Sequence, residues 1–147
     1  MTTRRSFFSR TLAALVAGAA GTGAARAAGV GVPKVAYHLA DADKVNFAIG
    51  NIENHIAGEG GPGRVEIVLV VHGPALLFFR QSAASADVRK RLSGLAASGV
   101  GLAACGNTLK AQELEVGDLL PGFVRVDEGG VVKLARLQAE GYAYIRP

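Results

Sequence analysis

Three side chains in this sequence combine a reactive type with a position where α/β proteins place their chemistry: His38, His72 and Cys105. His38 closes an apolar, β-rich run, His72 follows a second such run, and Cys105 follows a third. In open α/β sheets, ligands and reacting groups collect beyond the carboxyl ends of the strands, so neighbouring strands would bring these three side chains to one rim. Cys105 stands in Cys105-Gly106-Asn107-Thr108-Leu109, just before a short helical pattern. There unpaired amides and the helix dipole favour a thiolate, the form in which sulfur is nucleophilic. Gly106 lets the backbone come close to the sulfur or to a bound anion, and the amides around Asn107 and Thr108 would hold that anion. Cys105, His72 and His38 are therefore the candidate catalytic residues, and Gly106, Asn107 and Thr108 the candidate substrate contacts. Each has a plainer alternative. A single Cys also serves as a small buried hydrophobe, and a strand-end His as a packed group bonded to backbone. A Cys-His-His metal site lacks a fourth ligand and has no recognised spacing, so no metal and no cofactor is expected.

The elements that must position these residues are legible as alternating periods. Lys34 to Leu39 reads as a strand, and Val45, Ile49, Ile52 and Ile56 then recur at intervals of four, three and four, the stripe of an amphipathic helix. Val65 to Val71 is a nearly continuous Val, Ile and Leu run, as in a strand covered on both faces. Helical pieces follow at Pro74 to Arg80 and at about Ala84 to Ser98, the second with Val88, Leu92 and Leu95 in register. Val100 to Ala104 is a third strand, a short helix begins near Thr108, Phe123 to Val126 is a fourth strand, Gly130 to Glu140 a last helix, and Tyr142 to Ile145 a terminal strand. Strands alternating with helices need crossover connections. They predict a flavodoxin-like, doubly wound, mostly parallel five-stranded sheet with helices on both faces. Gly58 to Gly63 matches G-x-G-x-x-G literally, but it follows a helix and precedes a strand, the reverse of a dinucleotide-binding turn, and reads as a plain turn.

The first 27 residues read as a twin-arginine export signal. Arg4 and Arg5 precede Ser6-Phe7-Phe8, an uncharged stretch runs from Thr11 to Gly23, and Ala25-Arg26-Ala27 is a small-x-small cleavage pattern. The stretch is well short of the roughly 20 apolar residues a membrane anchor needs. The expected mature protein is therefore one domain over 28–147, periplasmic and without a membrane anchor. The whole chain has 16 Lys and Arg against 12 Asp and Glu. Arg4, Arg5, Arg10 and Arg26 leave with the signal, so the mature domain is formally neutral and gives no warrant for a nucleic-acid partner. The basic run Arg89-Lys90-Arg91 reads as a solvated helix face. Cys105 is the single cysteine, so no intramolecular disulfide can form. Leu76, Leu77, Phe78 and Phe79 are consecutive, and four successive positions on an α-helix sweep about 300°, too wide for one buried stripe. Either the following helix covers them or some meet another subunit.

The segments Val35-Ala36-Tyr37-His38-Leu39, Gly50-Asn51-Ile52-Glu53-Asn54-His55, Val71-His72-Gly73-Pro74, Ala104-Cys105-Gly106-Asn107-Thr108-Leu109, Asp118-Leu119-Leu120-Pro121 and Gly141-Tyr142-Ala143-Tyr144-Ile145 together resemble the DsrE/DsrF-like family, in its exported branch. The resemblance spans nearly all of Lys34 to Pro147, and the Cys-Gly-Asn-Thr-Leu piece is its most specific part. It implies a sulfur-relay role, with Cys105 carrying sulfane sulfur as a persulfide between a donor and an acceptor protein; joined to the strand-end positions, this gives the leading reading, in which His72 or His38 tunes the thiolate. It also implies a homo-oligomer, a trimer or hexamer. The alternative function is a non-catalytic oligomeric binding module with Cys105 packed or idle, and an outside alternative is a metal-binding protein using the same rim.

Overall fold

The structure, a computed structural model, describes residues 31–147; the signal reading lies outside the described residues. Five strands form one sheet: β1 (Lys34–Leu39), β2 (Glu66–Val71), β3 (Gly101–Cys105), β4 (Phe123–Val126) and β5 (Ala143–Ile145). Their order is β4-β3-β2-β1-β5 and every pairing is parallel. The helices are α1 (Val45–Gly58), α2 (Ala86–Ala97), α3 (Gly106–Ala111) and α4 (Gly130–Ala139). The chain thus steps from β1 outward to β4, then crosses back to set β5 on the far side of β1.

Each apolar stripe read from the sequence is buried. Val45, Ile49, Ile52 and Ile56 of α1, with Val88, Leu92 and Leu95 of α2, pack against Val35, Tyr37, Leu39, Ile67, Leu69 and Val71. Ser85 caps α2, its hydroxyl accepting from the amide of Val88 at 3.2 Å, which starts the helix two residues inside the expected span. Among the described residues the opposite face of the sheet is covered by α4, where Leu134 and Leu137 meet Ala36, Val70, Ala103 and Val126. Small residues on β1 and β3 let α4 lie close to the sheet. The main hydrophobic mass therefore sits on the α1/α2 face, and the α4 face is thin.

The segment after β2 departs from expectation. Gly73–Phe79 is a 3-10 helix, with its ends tied into the fold by amides: Ala75 donates to the carbonyl of Ala40 at 3.0 Å, and Leu120 to that of Phe79 at 2.8 Å. A 3-10 segment has three residues per turn, so Leu76 and Phe79 share a side. Both are fully buried, and Phe79 packs on Phe123 with ring centres 5.3 Å apart. Leu77 and Phe78 point outward, at 38% and 48% exposure, so the fold covers two of the four apolar side chains and leaves two for solvent or a second copy. The Phe79→Ala variant is expected to lose about 3–5 kcal/mol in urea unfolding. By contrast Phe78→Asp should keep the wild-type midpoint while lowering the particle mass in light scattering. An unchanged particle mass would remove the basis for a contact between copies through this segment.

Candidate functional site

Along a strand, side chains alternate between faces, and in-register pairing carries that alternation across the sheet. Ala36, Val70 and Ala103 line the α4 face. His38, His72 and Cys105 each lie two residues beyond one of them, so all three project to that face at the carboxyl ends of their strands. Tyr144 of β5 pairs with Ala36 and shares the face. The three sequence candidates and one residue that sequence reasoning missed therefore occupy a single edge.

Cys105 is the last residue of β3 rather than the first after it, and it also caps α3. It is buried, at 6% exposure. Burial pushes its thiol pKa up, but the Thr108 hydroxyl and the backbone amides of Gly130, Thr108 and Asn107 outweigh this and bring it below the ordinary thiol value. Hydrogen bonds to sulfur favour the charged form, since a thiolate accepts what a thiol accepts poorly. The Thr108 oxygen accepts from the amide of Gly73 at 3.0 Å, which leaves its proton free to point at the sulfur. The residue after His72 thus orients the hydroxyl that serves Cys105.

Glycines make this closeness possible. A Cβ on Gly106 would lie 2.8 Å from the carbonyl oxygen of Val126 and 3.2 Å from Cα of Asp127, so the start of α3 presses on the end of β4. A Cβ on Gly130 would lie 3.4 Å from Cβ of Cys105 and 3.4 Å from Cβ of His72. One bare position at the start of α4 therefore touches both residues. Around it is an open depression of ≈ 280 Å³ lined by His72, Cys105, Asn107, Thr108, Glu128 and the first turn of α4.

His38 does not line that depression. It stands behind His72, with its Nε2 2.5 Å from Nε2 of His72 and its Nδ1 2.6 Å from the Tyr144 hydroxyl. The imidazole centres are 4.7 Å apart and the rings are inclined by 22°. Two half-rings account for the difference between the centre and nitrogen separations, so the contact is head to head, a hydrogen bond rather than a stack. Burial lowers the pKa of both histidines; for His38 the neighbouring His72 and Arg146 lower it further, for His72 Arg146 does, and Asp41 opposes in each case. Asp41 and Arg146 form an ion pair at 2.9 Å. The third histidine, His55, bonds the Tyr37 hydroxyl at 2.9 Å and lies on α1, with the opposite face of the sheet. Among the described residues, no group of three or more His, Cys, Asp or Glu is placed to hold a metal ion.

The model of the DsrE/DsrF-like family matches residues 22–147. The chain belongs to the DsrE/DsrF-like family. Among solved structures, this DsrE/DsrF-like chain is similar to a protein of unknown function, MTH1491 from Methanobacterium thermoautotrophicum, at 32% identity and a TM-score of 0.69. That match covers 78% of this chain and 99% of the other. It also shares its fold with the YchN protein from E. coli, at 14% identity and a TM-score of 0.55, over 78% of this chain and 99% of that one. No curated protein matches it. Membership in the DsrE/DsrF-like family suggests a sulfur-relay type of function in general terms.

The hydrogen bonds to sulfur give a direct test. Thiolate is the nucleophile, so a lowered pKa means that alkylation of Cys105 reaches its plateau at a lower pH than for an ordinary thiol. Thr108→Val removes the hydroxyl and should move that profile upward, lowering the rate at neutral pH several-fold. Coincident profiles for the two proteins would show that the hydroxyl does not act on the sulfur.

Proposed function

We propose that this protein is an exported sulfur carrier, in which Cys105 accepts sulfane sulfur as a persulfide and passes it to a thiol acceptor. The observation that supports this most is the set of donors around one buried sulfur: three backbone amides and a hydroxyl, enough to outweigh burial and lower its pKa. The same donors stabilise the Cys105 thiolate as leaving group when the sulfur moves on. Asn107 and Thr108 supply the local backbone of this cradle, Gly106 lets the start of α3 pack on the end of β4 rather than lining the depression, and His72 forms the opposite wall. The family supports the chemistry, and the depression beside the sulfur has room for a small anion or the tip of a partner's side chain. Its open mouth suits transfer between proteins better than turnover of a small substrate. Among the described residues, no helix is long and apolar enough to cross a membrane.

Export is part of the reading, on the strength of the Arg4-Arg5 pair and the apolar stretch behind it. Two measurements check the proposal. Incubation with inorganic polysulfide should add the mass of one sulfur to the mature protein; reductant should remove it, and Cys105→Ser should never acquire it. A reactive thiol that takes up no sulfur would favour the binding-module reading instead. For export, cell fractionation of the full chain with Arg4→Lys and Arg5→Lys together should find folded precursor in the cytoplasm, and a periplasmic, cleaved product from that variant would refute the twin-arginine route.

A further inference from the structure

The histidines expected to tune the thiolate do not hydrogen-bond to it. Instead they bond to each other and to Tyr144, in a chain that begins at the wall of the Cys105 depression and ends at Tyr144, a residue 42% exposed. Two neutral imidazoles meeting nitrogen to nitrogen at 2.5 Å must share one proton, because two lone pairs cannot face each other at that distance. Of the four ring nitrogens in the pair, three are engaged: both Nε2 atoms with each other, and Nδ1 of His38 with Tyr144. Nδ1 of His72 is the one without a protein partner among the described residues. A proton therefore has two ways in or out of this chain, His72 Nδ1 and the Tyr144 oxygen.

We propose that Tyr144, His38 and His72 form a proton relay that takes the proton of an incoming acceptor thiol and releases it to solvent at the Tyr144 hydroxyl. The proposal rests on the carrier reading of Cys105 and adds the base that transfer requires. In the transfer step the acceptor S–H bond breaks and its proton goes to Nδ1 of His72. The acceptor sulfur then bonds to the terminal sulfur of the Cys105 persulfide. The old S–S bond breaks with its electron pair left on Cys105, where the amides and the Thr108 hydroxyl receive the charge. One sulfane sulfur changes hands, so no oxidant or reductant enters. Within the relay the Nε2 proton of His72 moves to Nε2 of His38, the Nδ1 proton of His38 moves to Tyr144, and the hydroxyl gives its own proton to water; the pair is reset when the Nδ1 proton of His72 leaves to water and the chain runs once in reverse from Tyr144. His72 is the catalytic base, and His38 and Tyr144 carry the proton onward from it.

The surroundings favour a neutral pair awaiting a proton. Burial holds both histidines below the ordinary value of 6.5. The charged groups facing them are Asp41 from the turn after β1 and Arg146 from the end of β5, which pair with each other, with Lys44 near Asp41. From the α3 and α4 side come Cys105 itself and Glu128, the latter paired with Arg136 at 2.7 Å. Gly73–Phe79 brings no titratable side chain.

The test is the pH profile of sulfur transfer from polysulfide-loaded protein to free cysteine. Ionisation of free cysteine gives every variant a common rise above neutrality. The wild type should show, in addition, a limb that falls as pH drops below 6.5, where the pair becomes protonated. His72→Gln should lose that limb and transfer about 100-fold more slowly at neutral pH, the lower range for general acid–base catalysis. Tyr144→Phe, a conservative change at a half-exposed position, should shift the limb while leaving the alkylation profile of Cys105 unchanged, which a merely structural role would not do. Loading that succeeds, followed by transfer with the same limb in all three proteins, overturns the relay and leaves the carrier standing. Failure of Cys105 to load at all overturns the carrier reading and the relay with it.

Discussion

Successive side chains of a strand leave on opposite faces, and parallel pairing in register makes that local alternation a property of the whole sheet. In this protein Ala36, Val70 and Ala103 mark one face, and the next residues of the same parity are His38, His72 and Cys105. A one-residue slip of any strand would send its reactive side chain to the α1/α2 core, where an imidazole or a thiol would be buried among apolar side chains. The buried runs in β1 and β2 guard against such a slip, since Val35, Tyr37 and Leu39 of β1 and Ile67, Leu69 and Val71 of β2 are all part of that core. The geometry of the site is thus a consequence of packing on the face that takes no part in the chemistry.

Charge on the sulfur is governed by a second balance. Removal from water raises the thiol pKa, and oriented donors lower it; here the donors prevail because they come from two elements already fixed by the fold, the start of α3 and the start of α4, with the residue following His72 orienting the hydroxyl among them. Their orientation is set before any ligand arrives. Gly106 and Gly130 allow those elements to approach, and at Gly106 the approach is to backbone, so a side chain there would displace β4 or α3 rather than merely a flexible neighbour.

Much of this was legible in the residues. The intervals among Val45, Ile49, Ile52 and Ile56 report a helix because burial of one stripe demands that spacing, and the uninterrupted run before His72 reports a strand covered on both faces because only such a strand tolerates it. The positions of His38, His72 and Cys105 at strand ends follow from the same patterns. What periodicity does not encode is which strands are neighbours. Placement of β5 beside β1 brings Tyr144 to His38 and Arg146 to Asp41 across more than a hundred residues, and no local pattern announces either contact. Nor does spacing separate a 3-10 helix from an α-helix over seven residues. At Gly73–Phe79 the choice is made by tertiary hydrogen bonds at the two ends, and it decides that Phe79 is inside and Phe78 outside.

The uneven clothing of the sheet has an evolutionary consequence. One side holds two helices and most of the apolar mass, while the other holds α4 over a layer that includes alanines. Gly106 and Gly130 apart, substitutions at the mouth of the depression therefore fall on the lightly built side, away from the larger apolar mass. A lineage could exchange one donor or acceptor for another by rewriting the mouth of the depression, with the opposite side acting as ballast.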